Sequence, residues 1–243
     1  MSKSEARTAQ LKRLDKYTTN LNDPYYLHYK FLFADIQQAV TTYANGKVLD
    51  IGCGNKPYRD MFQGRSESYT GCDIVQSSAN EVDIICPCTD IPVEDNSMDT
   101  VFSTQVMEHV AEHGKLLSEA FRILKPGGHI ILTAPMYWEH HEVPYDFFRF
   151  TRYGMEHLFR TAGFEIVEIK ANGGKWALTG QALLNNLRST LYRPNKSFRR
   201  RFFKGVFVLF RIKWLINLFF GFLEKTDKDE QTTLNFLVVA RKP

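Results

Sequence analysis

An α/β fold built on a Rossmann-like, doubly wound parallel sheet is what this chain predicts, and three observations carry it. Val48-Leu49-Asp50-Ile51 is a branched apolar run that empties into Gly52-Cys53-Gly54, the strand-to-turn pattern by which such sheets bring backbone close to a nucleoside ligand. Apolar runs of strand length then alternate with helical patterns, the rhythm of a sheet covered on both faces. The 243 residues include 44% hydrophobic and 24% charged side chains, a globular composition with enough chain to bury a sizeable core.

In chain order, a polar helix is expected near Ser4 to Lys16 and an aromatic-rich helix from Pro24 to Tyr43. Strands follow at Lys47 to Ile51, Ser68 to Asp73, Val82 to Ile85, Thr100 to Ser103 and His129 to Thr133, with helices between them. Pro57 suits the first turn of the helix after the first strand, where its missing N–H costs nothing. A helix from Arg152 to Ala162 stops at Gly163, and strands are read at Phe164 to Lys170 and Thr233 to Ala240. No internal repeat or low-complexity linker interrupts the chain.

Composition narrows the function classes. A formal net charge of +4 is too mild to argue for nucleic acid. Ser2 to Lys16 is polar and lacks the apolar centre of a secretory signal, so a cytoplasmic chain is expected. Cys53, Cys72, Cys86 and Cys88 have no paired zinc spacing and read as reduced structural thiols.

The glycine turn by itself fits a dinucleotide enzyme or a plain tight loop. Pro57 occupies the place of the third glycine that a dinucleotide fingerprint uses for helix packing. A second strand, Ser68-Tyr69-Thr70-Gly71-Cys72-Asp73, ends in an acid placed to accept both hydroxyls of a ribose, a spacing that NAD would also satisfy.

Six ordered blocks then resemble a family. They are Val48 to Tyr58, Tyr69 to Ile74, Asp95-Asn96-Ser97-Met98-Asp99-Thr100-Val101-Phe102, Gln105-Val106-Met107-Glu108-His109-Val110, Glu119 to Gly128, and the strand to Ala134-Pro135. Together they resemble the class I S-adenosylmethionine-dependent methyltransferases, in the small-molecule branch that includes quinone, glycan and natural-product enzymes. The resemblance implies a seven-stranded sheet whose last strand is antiparallel, preceded here by a helical insertion. It divides one methyltransferase domain, 1–243, into a helical lid (1–45), a cofactor core (46–173), the insertion (174–230) and the final strand (231–243).

The same resemblance assigns the donor S-adenosyl-L-methionine to named residues. Gly52 and Gly54 pass beside its methionine part, Asp50 holds the turn and the amino group, and Asn55 with the helix start after Pro57 offers N–H donors to the carboxylate. Asp73 takes the ribose, Ile74 lies against adenine, and Gln105 meets the amino-acid portion through its backbone. The family's adenine-binding acid is replaced by Pro87, which leaves Asp90, or the backbone at Cys88 and Thr89, to read the base. Ubiquinone-pathway relatives hold a divalent metal with Glu-x-x-Glu-His; Gln105 replaces the first acid, so no metal ligand is assigned.

The acceptor is sought in the polar loop after the fifth strand, Tyr137 to Asp146 followed by Phe147 to Thr151. His141 is the first candidate base, His140 the second, and Asp146 the group that orients them. The same residues also read as a tied-down loop, with Asp146 and Arg149 paired and Thr151 capping the next helix.

Residues 199–225 set the chain apart: a basic start at Arg199-Arg200-Arg201, then a long aromatic and aliphatic helical pattern containing Arg211, Lys213 and Trp214. Three placements stand open, a lid over the acceptor, a homodimer contact, or a basic amphipathic helix at the inner membrane surface. The function expected is methyl transfer to a hydroxyl, or an amine, of a small molecule, a sugar or a lipid-linked intermediate. The alternative is an inactive donor-binding protein that acts through partners.

Overall fold

Val48, Leu49 and Ile51 are fully buried, as befits a central strand covered on both faces, and they nucleate a seven-stranded sheet. The computed structural model describes residues 14–192, 198–227 and 229–243, with 198–201 described by backbone alone. The helix expected at Ser4 to Lys16 falls outside the described residues from 4 to 13, and residues 14–16 are not helical.

The strands are β1 (Gly46–Ile51), β2 (Ser66–Asp73), β3 (Ile84–Ile85), β4 (Met98–Thr104), β5 (Leu124–Pro135), β6 (Glu165–Asn172) and β7 (Asn235–Arg241). Their order is β3-β2-β1-β4-β5-β7-β6, with β1 parallel to β2 and β4, and β7 antiparallel to β5. The reversed last strand agrees with the expectation. Strand order reverses between β1 and β4, so the crevice at their carboxyl ends is where a ligand meets such a sheet.

Helices α1 (Tyr26–Tyr43), α2 (His113–Ile123), α3 (Arg152–Thr161), α4 (Lys175–Leu191), α5 (Phe198–Leu209) and α6 (Ile212–Thr226) complete the described regular structure. Local expectations are corrected at three places. Between β1 and β4 no α-helix forms: the helix expected after β1 is a four-residue 3₁₀ turn, Arg59–Phe62, and the helices expected between β2 and β3 and between β3 and β4 are replaced by turns and extended chain. The strand expected from Val82 shortens to Ile84–Ile85, because Asp83 turns its carboxylate back to the Gly71 N–H. The single helical run read through 199–225 breaks at Arg211, whose φ of 50° is left-handed, and Phe202–Leu209 meets Ile212–Thr226 at 55°.

The chain divides into two compact units. One comprises the residues up to Tyr17, Asp35–Lys170 and Asn235–Pro243, and it contains the sheet up to Lys170 of β6; the other comprises Thr18–Ala34 and Ala171–Leu234. In the sheet unit the core is built of Val101, Phe102, Ile130, Ile131, Val238 and Val239, all buried. In the helical unit the Glu224 carboxylate of α6 accepts the N–H groups of Gly174 and Ala177 at 2.6 and 2.8 Å, capping an α4 start that has no side-chain cap of its own.

Candidate active site

The turn after β1 is shaped by what it lacks. Gly52 and Gly54 have φ of 75° and 53°, and a Cβ at Gly52 would run into the Val106 side chain. Asp73, at the end of β2, accepts the Gly54 N–H at 3.1 Å and the Val75 N–H at 3.4 Å. The residue expected to take a ribose therefore also clamps the glycine turn.

Asp50 is buried in β1, and the Tyr69 hydroxyl donates to it at 2.6 Å. Burial pushes its carboxyl up to about 7, with the nearby Asp73 adding to the shift and the Tyr69 hydrogen bond opposing it. An ammonium group beside such a carboxyl would draw it back to the ionised form.

Lys56 was not singled out by sequence. Its side chain is buried and crosses above Gly71 to donate to Asp83 at 2.6 Å, a strut under the turn. The signal was present in the glycine at position 71, which leaves room for that crossing, but a lysine in a loop ordinarily faces water.

Around the crevice, Asn55 donates its Nδ2–H to Asp15 at 2.7 Å, while its Oδ1 is buried with no hydrogen-bond partner. The helix start expected to serve the donor carboxylate is only the 3₁₀ turn, so the helix-dipole part of that assignment falls away. Ile74 is 45% exposed directly after β2, an apolar face available to a planar base. Cys88 and Thr89 are the half-buried middle of a turn closed by Asp90 N–H to Pro87 O at 3.1 Å, and Asp90 itself is exposed. Gln105 follows β4 in a left-handed conformation, φ 53°, held by its N–H on Thr133 O at 3.0 Å and its side chain on Thr133 Oγ1 at 3.2 Å.

The polar loop 137–150 is pinned by one ion pair. Asp146 accepts from the two terminal Arg149 guanidinium nitrogens at 2.6 and 2.9 Å, and although burial opposes the shift this contact holds its carboxyl far below the usual range. Arg149 also donates to the carbonyls of Trp138, Glu139 and Phe148. Asp146 takes the His141 backbone N–H at 3.1 Å, and its Oδ2 lies 3.4 Å from His140 Nδ1 and 3.5 Å from His141 Nδ1, so it stands beside both rings. Thr151 caps α3 through the Gly154 N–H at 3.1 Å, as the tied-down reading expects.

The two histidines diverge. His140 has a side chain 90% exposed, whereas His141 has one 31% exposed, with Nδ1 at 3.2 Å from Glu139 O. Burial, with His109 as second cause, lowers the pKa of His141 and keeps its ring neutral near pH 7.

The structure brings a second segment to this loop. Met107–His109 is a 3₁₀ turn after β4, and its Glu108 carbonyl accepts the Phe147 N–H at 2.9 Å. The His109 ring lies 4.6 Å from that of His141, with Nδ1 at 2.9 Å from Tyr145 O. Glu108 is fully buried, neither carboxylate oxygen has a hydrogen-bond partner, and burial pushes it up to about 8. One ligand atom from each of Glu108, His109 and His141 lies within 4.8 Å of the others, so the trio could hold a metal ion. Sequence reading assigned Glu108 and His109 no metal because Gln105 replaces the family's first acid, and it did not join them to His141, which lies more than thirty positions on.

Comparison with known proteins follows this geometry. Residues 49–132 match the family described as a methyltransferase domain. A protein of Mycolicibacterium smegmatis described as a probable S-adenosylmethionine-dependent methyltransferase is 28% identical over 137 residues, 51% of this chain and 53% of that protein. A ubiquinone/menaquinone biosynthesis C-methyltransferase of Geotalea daltonii is 29% identical over 105 residues, 36% and 45% of the two chains. The chain thus spans about half the length of these curated relatives.

Among solved structures, the cyclase SpnF superposes with a TM-score of 0.56 at 16% identity, covering 96% of this chain and 87% of its own. Phosphoethanolamine N-methyltransferase 2 of Haemonchus contortus, in complex with S-adenosyl-L-methionine, gives 0.52 at 18% identity, with coverage of 88% and 52%. At such identities these likenesses speak for the fold.

Proposed function

We propose that this chain, whose residues 49–132 match the methyltransferase-domain family, is a class I S-adenosylmethionine-dependent methyltransferase that moves a methyl group from that donor to a hydroxyl of a small molecule, a sugar or a lipid-linked acceptor. The observation that carries the reading is the β1–β2 crevice, where Gly52 excludes side-chain bulk and Asp50 and Asp73 stand together at the strand ends. The donor supplies a sulfonium-bound methyl carbon, an electrophile that needs no metal ion to react.

The residues present suit that group. Asp50, raised by burial, gains its charge when an ammonium arrives; the lone Asn55 Oδ1 is a ready acceptor; Ile74 offers an apolar shelf. The chain's main contribution is alignment, since the displacement is in line and charge disperses as it proceeds. When bound beside Asp50, Asp73 and the Gly52 turn, the donor would supply its methyl carbon to the acceptor oxygen and keep the electron pair of the broken carbon–sulfur bond on sulfur. The hydroxyl proton passes to the neutral His141 ring, whose basic nitrogen is Nε2 when Nδ1–H is held on the Glu139 carbonyl.

The reading extends to the location of the acceptor. Phe202, Phe219 and Phe222 on α5 and α6 are 60%, 57% and 62% exposed, a density of aromatic side chains that suits contact with the inner membrane face.

Release of S-adenosylhomocysteine from a panel of sugar nucleotides, phenols and lipid-linked saccharides tests the proposal. An acceptor-dependent signal that falls 10²- to 10⁴-fold in His141→Asn, with donor affinity unchanged, is expected of a general base. Donor turnover with no acceptor in the panel, or a His141→Asn enzyme of full activity, would remove the base assignment.

A further inference from the structure

The helical unit carries a cavity of about 830 Å³ that methyl transfer does not use in any step above. Its volume is that of a site for a small organic ligand. The apolar part of its wall is Pro24, Leu184 in the middle of α4, Tyr192 just past its end, Phe207 and Val208 on α5, and Trp214 on α6. Arg188, Arg211 and Lys213 supply the charge, and no acidic side chain lines it among the described residues.

Two features separate this wall from an ordinary gap between helices. Arg211 and Lys213 have no carboxylate partner among the described residues, while Arg188 is held with its guanidinium 4.6 Å from the Tyr25 ring centroid. Unneutralised cations on an apolar wall repel one another and favour an anion between them. Arg211 is also the left-handed residue at the α5–α6 elbow, a strained backbone position kept by a long cationic side chain where glycine or asparagine would fit better.

The surroundings continue the same chemistry. Val208, Leu209 and Phe210, at the elbow beside the cavity, are 60%, 75% and 62% exposed. Apolar surface of this kind leads from solvent, or from a lipid surface, to the cationic wall.

We infer that this cavity is a binding site for an anionic amphiphile, a molecule with a phosphate-type head and one long apolar tail. Arg211 and Lys213 take the head, with Arg188 beside them, and the tail lies against Leu184, Phe207 and Trp214. A membrane lipid supplies both parts at once; inorganic phosphate supplies only the head, and the arms of the test separate them. The inference is independent of methyl transfer, because it uses only side chains of the helical unit.

Calorimetric titration of the full chain with dodecyl phosphate below its micelle concentration is the test, with inorganic phosphate and dodecyl maltoside as the other arms. Saturable one-to-one binding of dodecyl phosphate, at least tenfold tighter than either comparison ligand, is expected. The double variant Arg211→Glu, Lys213→Glu should lose at least tenfold of that affinity, and Arg211→Lys, Lys213→Arg should retain most of it. Far-UV circular dichroism and calorimetric melting of the same samples show whether each variant is folded, the helical unit included. Equal binding of the maltoside, non-saturable uptake, or a folded charge-reversed variant with wild-type affinity would overturn the inference. The wild-type arms decide it even should the charge-reversed variant fail to fold.

Discussion

Asp50 and Glu108 are two buried carboxyls raised by the same cause, and their pH behaviour tells them apart. Asp50 has its carboxyl at about 7, so its charge, and with it attraction for a cationic amino group, grows as pH rises from 6 to 8. Affinity for S-adenosylhomocysteine should strengthen over that interval in the wild type. In Asp50→Asn it should be flat and ten- to a hundredfold weaker, the loss of about 1.5–3 kcal/mol that a charged hydrogen bond is worth. A pH-independent wild-type affinity by calorimetry would deny Asp50 its role. Glu108, at about 8 against an ordinary 4.5, keeps a proton in the folded chain that the unfolded chain has already lost. Its contribution to stability is therefore full below pH 4.5 and is lost as pH rises through 8. Glu108→Gln should melt with a shallower pH dependence than wild type between pH 5.5 and 8.5, by on the order of a few kcal/mol in unfolding free energy. Parallel melting curves would show that Glu108 titrates normally. Neither shift was legible in sequence, since Asp50 looks like any strand-ending acid until Tyr69 and the burying strands surround it.

At the scale of elements, what could be read was what repeats locally. The β1 turn and the α3 cap at Thr151 each depend on a few neighbouring residues, and each stands where the pattern put it, whereas the βα alternation holds only from β4 onward. What could not be read was settled by distant partners: Asp83 leaving its strand for Gly71 and Lys56, or Glu108 meeting the 137–150 loop. The α5–α6 break is a third kind of case. Aromatic and aliphatic residues continue through Arg211 without change of period, so nothing in composition marks a bend of 55°. No single helix among the described residues is long and apolar enough to cross a membrane, although the bent pair Phe202–Leu209 and Ile212–Thr226 passes by length and composition together; the surface contact of their exposed aromatics belongs to the proposed function. Wild type should therefore float with vesicles containing phosphatidylglycerol and much less with purely zwitterionic ones. The triple variant of Phe202, Phe207 and Phe219 to Ser should stay in the soluble fraction. Should both proteins remain soluble, α5 and α6 do not serve the membrane.

For the whole molecule, the two compact units make ligand-linked stability a sharper probe than a single melting temperature. A ligand stabilises only the folding transition of the unit that binds it, by RT ln(1 + [L]/Kd), about 2.7 kcal/mol at a hundredfold excess over Kd. The crevice between β1 and β2 lies wholly in the sheet unit, with Asp50, Gly52, Asp73 and Gln105 all inside 35–170. Saturating S-adenosylhomocysteine should raise the transition of that unit by several degrees, as about 2–4 °C per kcal/mol implies for 150–250 residues. NAD at the same concentration should leave it in place, because Pro57 stands where a dinucleotide turn needs a third glycine. Differential scanning calorimetry reads both cases, and a chain that melts in two steps makes the comparison stricter, since the helical unit's step must then stay still under the donor product. A shift with NAD alone would replace the methyl donor by a nicotinamide. A shift confined to the helical unit would move the donor out of the β1–β2 crevice altogether.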